Sequence, residues 1–367
     1  MNSDNQGAKS NVRLSAERYD DMTYQRALDD SEGFVRGSAH FDNGELTVPG
    51  YPSIGRILNL ERGLSEQVGE RFWMEEKIDG YNVRIFRHHD RVLALTRGGF
   101  VCPFSTDRLA DLFDLSFFDA HPEMVVCAEI AGPGTPYLEG SPPFIPEDVG
   151  LYVFDFMRLN RPGFVDPQEK DRLMAAHQLN AVPALGYFSV ADIDRIRSIM
   201  VQLDESGREG AVFKEDGGRN RRAKYVTAQS SIADIRCTAG GMLELPAEYF
   251  TGRILRMVTF LEEQGLQASS DIPQALGSAF LDGLNEAVAQ YREVHQVFHR
   301  FRCRFRSRAA AEQLIEHFYH TQGKQQRTQV ESLTQQADGY WLLVFDRVYP
   351  GMTGLLGHVL GGGAVYD

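Results

Sequence analysis

The sequence is poor in cysteine, in tryptophan and in long apolar runs. Its 367 residues include only 4 cysteines and 2 tryptophans. The cysteines, Cys102, Cys127, Cys237 and Cys303, lie far apart and form no C-x-x-C pair. That spacing excludes a structural zinc site built from close cysteine pairs, and it favours free thiols over a disulfide framework. No apolar stretch approaches the roughly 18 residues needed to cross a bilayer. The longest, Tyr340 to Phe345, is far too short. The segment from Met1 to Asn11 is polar and lacks the apolar centre of a signal peptide, so a cytoplasmic protein without membrane partners is expected. Positive charge is also scarce. There are 38 Lys and Arg against 51 Asp and Glu, a net charge of −13. That balance argues against coating nucleic acid by bulk charge, although local patches can still act. Two patches stand out, Arg219, Arg221, Arg222 and Lys224, and the alternating run Arg300, Arg302, Arg304, Arg306 and Arg308.

Apolar residues make up 43% and charged residues 24%, which excludes a disordered chain. The length suggests about two to three domains. Residues 1–65 mix charge, glycine and short apolar pieces, with a turn at Pro49-Gly50-Tyr51-Pro52. From Phe72 to about Val226, short runs rich in Val, Ile, Phe and Tyr predict strands at Tyr81 to Phe86, Val92 to Thr96, Met124 to Ile130, Leu151 to Phe156 and Ala211 to Lys214. Helices are predicted at Asp171 to Leu179 and at Asp192 to Asp204. The second puts Ile193, Ile196, Ile199, Met200 and Leu203 on one face. This middle part reads as α+β with mostly antiparallel sheets. After Ala233 the spacing becomes helical, through Tyr249 to Gln264, Ile272 to Phe305 and Ala309 to Tyr319, punctuated at Gly265, Pro273 and Gly323. Tyr340 to Val348 fits a strand or a helix. If the arginine run lies on a strand, its two-residue spacing gathers all five on one face, opposite Phe301, Cys303 and Phe305, whereas a helix would scatter them.

The stretch richest in chemistry is Glu75-Glu76-Lys77-Ile78-Asp79-Gly80-Tyr81-Asn82-Val83-Arg84. A lysine stands just before an Asp-Gly turn, with acids on both sides. Alone, K-x-D-G is weak, because Asp-Gly is a common turn. Lysine becomes a covalent nucleophile when burial or neighbouring cations depress its pKa. Five further segments follow in order: Thr96-Arg97-Gly98-Gly99, Cys127-Ala128-Glu129-Ile130, the aromatic run Leu151 to Phe156, Glu209-Gly210-Ala211-Val212-Phe213-Lys214, and Arg221 to Val226.

Together these six segments resemble the ordered motifs of the covalent nucleotidyltransferases, which include ATP-dependent DNA and RNA ligases and mRNA capping enzymes. The resemblance covers about Phe72 to Val226. It implies a nucleotidyltransferase (adenylation) domain in which Lys77 attacks the α-phosphate of ATP. Lys214 and Lys224 would neutralise that phosphate and help depress the pKa of Lys77. It also implies a nucleotide pocket formed by Glu75, Lys77, Ile78, Arg84, Arg97, Glu129, Phe154, Lys214 and Lys224. Glu75 would read the adenine amino group, Phe154 would stack on the base, and Arg84 and Arg97 would hold the ribose or the acceptor end. Glu129 would bind the ribose hydroxyl or a metal-bound water, and Glu209 would be the more direct ligand of Mg2+ or Mn2+, which prefer oxygen donors. Tyr152, Phe154 and Phe156 alternate on the aromatic strand, and which of them meets the base stays open.

DNA ligases and capping enzymes carry a β-rich OB-fold after the last motif, whereas the chain here turns helical. The pattern is most similar to the archaeal-type ATP-dependent RNA ligases, known as RNA ligase 3, through Glu76 to Arg84 and Arg221 to Thr227. That similarity implies four parts: an N-terminal module at 1–65, the adenylation domain at 66–236, a helical dimerisation module at 237–320 and a small C-terminal module at 321–367. It further implies a homodimer that seals or circularises RNA bearing 5′-phosphate and 3′-hydroxyl ends through a lysyl-AMP intermediate. The alternatives are a DNA-end ligase or a non-catalytic RNA-binding dimer that keeps the fold.

Overall fold

The computed structural model describes residues 13–31, 34–266, 271–321 and 327–365. The polar stretch Met1 to Asn11 and the break expected at Gly323 lie outside the described residues. Tertiary contacts divide the chain into two units, each gathered from separate segments: 1–53, 82–128 and 153–181 in the first, and 54–81, 129–152 and 182–367 in the second.

The first unit opens with a four-stranded antiparallel sheet in chain order, Leu14–Tyr19, Met22–Ala27, Ala39–Phe41 and Leu46–Val48. A five-stranded sheet follows, in the order Arg161–Phe164, Gly150–Arg158, Met124–Ala131, Tyr81–His88, Arg91–Thr96. All the strands expected here form, each longer than the β-rich run alone suggests. The helix expected at Asp171 instead spans Pro167–Ala176. Its start is set by capping: Asp166 accepts a hydrogen bond from the Glu169 amide at 2.9 Å, and Pro167 fills the first turn. Cys102 likewise caps the helix Pro103–Leu112, accepting from the Ser105 amide.

The second unit is built on a five-stranded sheet in the order Ala184–Ser189, Arg71–Lys77, Gly210–Glu215, Arg222–Val226, Gly55–Arg56. One face of it is apolar. Phe72, Met74, Ala211, Phe213, Ala223 and Tyr225 pack there against Leu60 and Leu64 of the helix Leu60–Gln67. Ile196, Met200 and Leu203 of the helix Ile193–Glu205 join the same core, as the sequence predicts. Ile232 and Ile235, then Met257, Phe260 and Leu261, extend it onto the helices Ala228–Thr238 and Glu248–Glu263.

The helical expectation for Ile272 to Phe305 is corrected. The helix Asp271–Val294 ends there, His295 takes φ +55, and Phe298–Phe305 is a strand. The alternation of arginine with Phe301, Cys303 and Phe305 has period two, and the three apolar residues are 3%, 0% and 0% exposed. That strand pairs with Trp341–Val348, which pairs with Arg327–Gln335, giving a three-stranded antiparallel sheet. Helices Arg308–Thr321 and Pro350–Leu360 complete this region. Among the described residues, no helix is long and apolar enough to cross a membrane.

Candidate active site

Strand alternation builds the site. On Arg71–Lys77, the residues Trp73, Glu75 and Lys77 share one face, and Phe72 and Met74 occupy the other. In register, Lys77 lies opposite Gly210, Glu75 opposite Val212, and Trp73 opposite Lys214. Val212 lies opposite Lys224, Lys214 opposite Arg222, and Lys224 opposite Arg56. Directly opposed residues share a face. One face of this sheet therefore carries Arg56, Glu75, Lys77, Lys214, Arg222 and Lys224, while its back is the hydrophobic core.

Two glycines make this approach possible. A β-carbon on Gly210, which takes φ +149, would lie 2.1 Å from the Tyr225 carbonyl oxygen. A β-carbon on Gly80 would lie 2.5 Å from the Ile130 carbonyl oxygen and 2.7 Å from Cγ of Glu129. The Asp-Gly turn thus lets the Glu129 strand close on the Lys77 loop.

Two lysine–glutamate pairs cross between adjacent strands. Lys77 Nζ donates to Glu209 Oε2 at 2.6 Å, with side chains 20% and 12% exposed. Lys214 Nζ donates to Glu75 at 2.5 Å, with side chains 10% and 8% exposed. Burial pushes the Lys77 ammonium down, but the Glu209 and Glu129 carboxylates, with Asp79, push it up, and the net shift is upward. This corrects the expectation that Lys214 and Lys224 depress it. The Lys214 charge is matched by Glu75, and the acids facing Lys77 dominate. Glu75, expected to read adenine, is here engaged with Lys214. Glu129 and Glu209 both act on Lys77 and offer the carboxylate oxygens that a small divalent cation favours. Ile78 is 3% exposed.

Several residues here escaped the sequence reading. Asp79 is pushed up to about 7 by burial and by Glu209 and Asp234, against Lys77 and Arg253. It stands inside the K-x-D-G motif, so the signal was present. Arg253 and Arg256 come from the helix Glu248–Glu263, more than 170 positions from Lys77, and no local pattern marks them. Arg253 donates to Asp234 Oδ2 at 2.7 Å, and Arg256 Nη2 lies 3.6 Å from the same oxygen. The Arg256 side chain is 7% exposed, and its buried Nε and Nη2 make no hydrogen bond. Burial, Arg56 and Arg253 together push the Arg256 guanidinium down to about 10, with Asp234 and Glu209 opposing. Arg56 and Arg256 thus lie within electrostatic reach of Glu209, and Arg56, Arg253 and Arg256 gather around the Asp234 carboxylate.

The remaining sequence candidates lie in the first unit. Arg84 is wholly buried. Its Nη1 donates to the Pro49 carbonyl at 2.6 Å, and its Nη2 to the carbonyls of Gly37 at 2.9 Å and Thr96 at 2.8 Å. The expected ribose or acceptor contact is corrected, because this guanidinium clasps three backbone turns and has no surface to offer. Arg97 is exposed and donates to Ser53 Oγ at 3.2 Å. Phe154 is half-buried, with its ring edge-on to Tyr51 at 5.4 Å. Phe156 is fully buried and stacks on Phe117, which leaves Tyr152 and Phe154 as the accessible aromatics of that strand.

Arg300, Arg302 and Arg304 lie on the strand Phe298–Phe305, but Arg306 follows it and Arg308 opens the helix Arg308–Thr321, which corrects the single face of five, and acids neutralise much of the run. Arg300 pairs with Asp346 through two bonds of 2.7 Å. Arg304 pairs with Asp338 at 2.5 Å and Asp148 at 3.6 Å, and Arg308 pairs with Glu312 at 2.8 Å.

Comparison with known proteins agrees with this geometry. The RNA ligase family model matches residues 70–226, and the model for the ligase Pab1020 C-terminal region matches 237–363. A solved structure from Aquifex aeolicus, named provisionally as an ATP-dependent DNA ligase, is 47% identical, covers 96% of both chains and superposes with a TM-score of 0.91. An archaeal ATP-dependent RNA ligase is 26% identical, with 96% of this chain and 93% of that one covered and a TM-score of 0.85. An uncharacterised protein of Methanocaldococcus jannaschii is 28% identical over 267 residues, 70% of this chain and 67% of that one. A lysine between acids on an open sheet face, two matched families in tandem and full-length structural likeness lead to one conclusion: the chain is a ligase enzyme and belongs to the archaeal-type ATP-dependent RNA ligases of the covalent nucleotidyltransferase superfamily.

Proposed function

We propose that this enzyme seals or circularises RNA bearing a 5′-phosphate and a 3′-hydroxyl, using ATP and a lysyl-AMP intermediate. The observation that carries this reading is the Lys77–Glu209 pair, 2.6 Å long, on the sheet face that also holds Glu75, Lys214 and Lys224. The deprotonated Lys77 amine attacks the α-phosphorus of ATP, a phosphoamide bond forms, and pyrophosphate leaves. The AMP then passes to the RNA 5′-phosphate, and the 3′-hydroxyl displaces AMP as the phosphodiester forms. Before attack, Lys77 must lose the proton that Glu209 and Glu129 help it keep.

Glu209 and Glu129 are the residues that would hold Mg2+ or Mn2+, which supplies charge neutralisation at the phosphates when bound. Lys224 and Lys214 lie on the same face to meet the α-phosphate. Arg56, Arg253 and Arg256 bring further positive charge to the leaving pyrophosphate. Phe154 or Tyr152 stacks on adenine, and Arg97 is the exposed arginine available for the acceptor end. We assign assembly to a homodimer through the module at 237–320, mainly helical apart from the strand Phe298–Phe305, with modules at 1–65, 66–236 and 321–367 completing the chain.

The test is incubation with α-labelled ATP, followed by ligation of 5′-phosphorylated single-stranded RNA and DNA side by side. An acid-labile AMP adduct and RNA joining support the reading, and an adduct with DNA joining alone overturns the RNA assignment. The second outcome has a specific motive in the 47% identical Aquifex aeolicus relative and its DNA ligase name.

A further inference from the structure

In the first unit, three ligand-type side chains that the candidate active site does not use meet. Asp42 lies in the turn between the strands Ala39–Phe41 and Leu46–Val48. His88 and His89 lie where the strand Tyr81–His88 turns toward Arg91–Thr96. His88 Nε2 is 3.0 Å from Asp42 Oδ2, and His89 Nε2 is 3.3 Å from the same oxygen. One oxygen or nitrogen from each of the three residues lies within 4.8 Å of the other two.

Adjacent residues of a strand point to opposite faces, so two neighbouring histidines do not ordinarily share a target. Here the backbone changes that. His89 takes φ +54, and Asp42 and Asn43 take φ +50 and +55. Each is in the left-handed region, uncommon for residues other than glycine. The turn at His89 brings its ring beside that of His88, with centroids 4.2 Å apart. The turn at Asp42 aims its carboxylate at both.

We propose that Asp42, His88 and His89 form a binding site for a borderline divalent transition-metal ion such as Zn2+. The dimensions fit. With metal–ligand bonds of about 2.0–2.1 Å, neighbouring ligand atoms of a tetrahedron lie roughly 3.3–3.4 Å apart. The 3.0 and 3.3 Å from the two imidazole nitrogens to the Asp42 oxygen need only small adjustment. Two imidazole nitrogens and one carboxylate oxygen suit Zn2+, Co2+, Ni2+ or Cu2+ and are a poor set for Mg2+, which prefers oxygen and octahedral geometry. The site is therefore chemically distinct from the Glu129–Glu209 carboxylates. Its fourth position faces outward, because the His89 side chain is 70% exposed while that of His88 is 6% exposed. The bound ion would join the Asp42 turn to the His88–His89 hairpin and so cross-link two sheets of the first unit.

The competing explanation is an imidazolium–carboxylate contact that needs no metal. Equilibrium dialysis and calorimetry of the tag-free full chain with Zn2+, in excess Mg2+ to occupy the catalytic carboxylates, separate the two. One tightly bound equivalent is expected, with a rise in melting temperature. Co2+ in place of Zn2+ should give the visible absorption of a tetrahedral nitrogen–oxygen site. His88→Ala, His89→Ala and Asp42→Asn should each weaken binding at least tenfold and abolish the thermal shift, while the AMP adduct on Lys77 still forms. His89 is exposed, so His89→Ala keeps the test valid should His88→Ala misfold. Zn2+ stoichiometry and affinity unchanged in His89→Ala, or no binding to the parent chain, overturns the proposal.

Discussion

Replacing Arg84 with alanine separates a structural arginine from a nucleotide-binding one. The side chain is fully buried, and three carbonyl oxygens, of Pro49, Gly37 and Thr96, accept from it. Removing the guanidinium strands all three. A buried polar group that loses its partner costs about 1–3 kcal/mol, so the gross loss is about 3–9 kcal/mol. The variant no longer buries a cation, whose effective desolvation penalty is several kcal/mol, and water entering the space offsets more. A net destabilisation of about 3 kcal/mol is a reasoned lower figure. At about 2–4 °C per kcal/mol for a domain of roughly 150–250 residues, the melting temperature should fall by about 6–12 °C. Circular dichroism melts measure this, and adduct formation with labelled ATP well below the melting temperature measures chemistry. Arg84→Ala should melt early and still adenylylate when cold. An unchanged melting temperature together with a lost adduct or lost ligation would refute the reasoning and return Arg84 to the ligand.

Lys77→Ala and Lys77→Arg should both fold and fail to form the AMP adduct, because neither alanine nor a guanidinium that does not deprotonate can attack, and an adduct on either variant would displace Lys77 as nucleophile. Arg256→Ala should raise the KM for ATP in adenylylation more than it lowers the melting temperature, and an unaltered KM would remove this arginine from the phosphates. Asp79 holds its proton in the folded state up to about 7, whereas an unfolded chain releases it near the ordinary aspartate value of about 3.9. Its contribution to stability is therefore full below that value and lost as the pH rises through about 7. Asp79→Asn should flatten the decline in stability between pH 4 and 8, and an identical decline in wild type and variant would sink the assignment. Arg300→Ala should destabilise the C-terminal sheet by orphaning Asp346, which is 2% exposed, while Arg302→Glu should weaken RNA binding and its salt dependence. RNA affinity lost on Arg300→Ala with an unchanged melt would reverse that division.

The sequence alone determined the α+β class, the five strands expected between Tyr81 and Lys214, the Lys-x-Asp-Gly turn and the order of the motifs. Those features are local. A period of two over Arg71–Lys77 and Gly210–Glu215 specifies which residues share a face before any partner is known, and Asp-Gly after Lys77 announces the turn. Periodicity misled at Phe298–Phe305, where apolar residues near a long helix look like its continuation until alternation is counted against the partner strand. Only the tertiary structure decided what each charge meets. No spacing shows that Arg84 ends among three carbonyls rather than at a surface, or that Lys214 is taken up by Glu75 and Lys77 by Glu209. Burial and charge pairing depend on segments far apart in the chain. Arg253 and Arg256 reach the site because their helix packs Met257 and Phe260 into the core behind the sheet. His88 and His89 face one carboxylate only because the backbone turns left-handed at His89 and at Asp42.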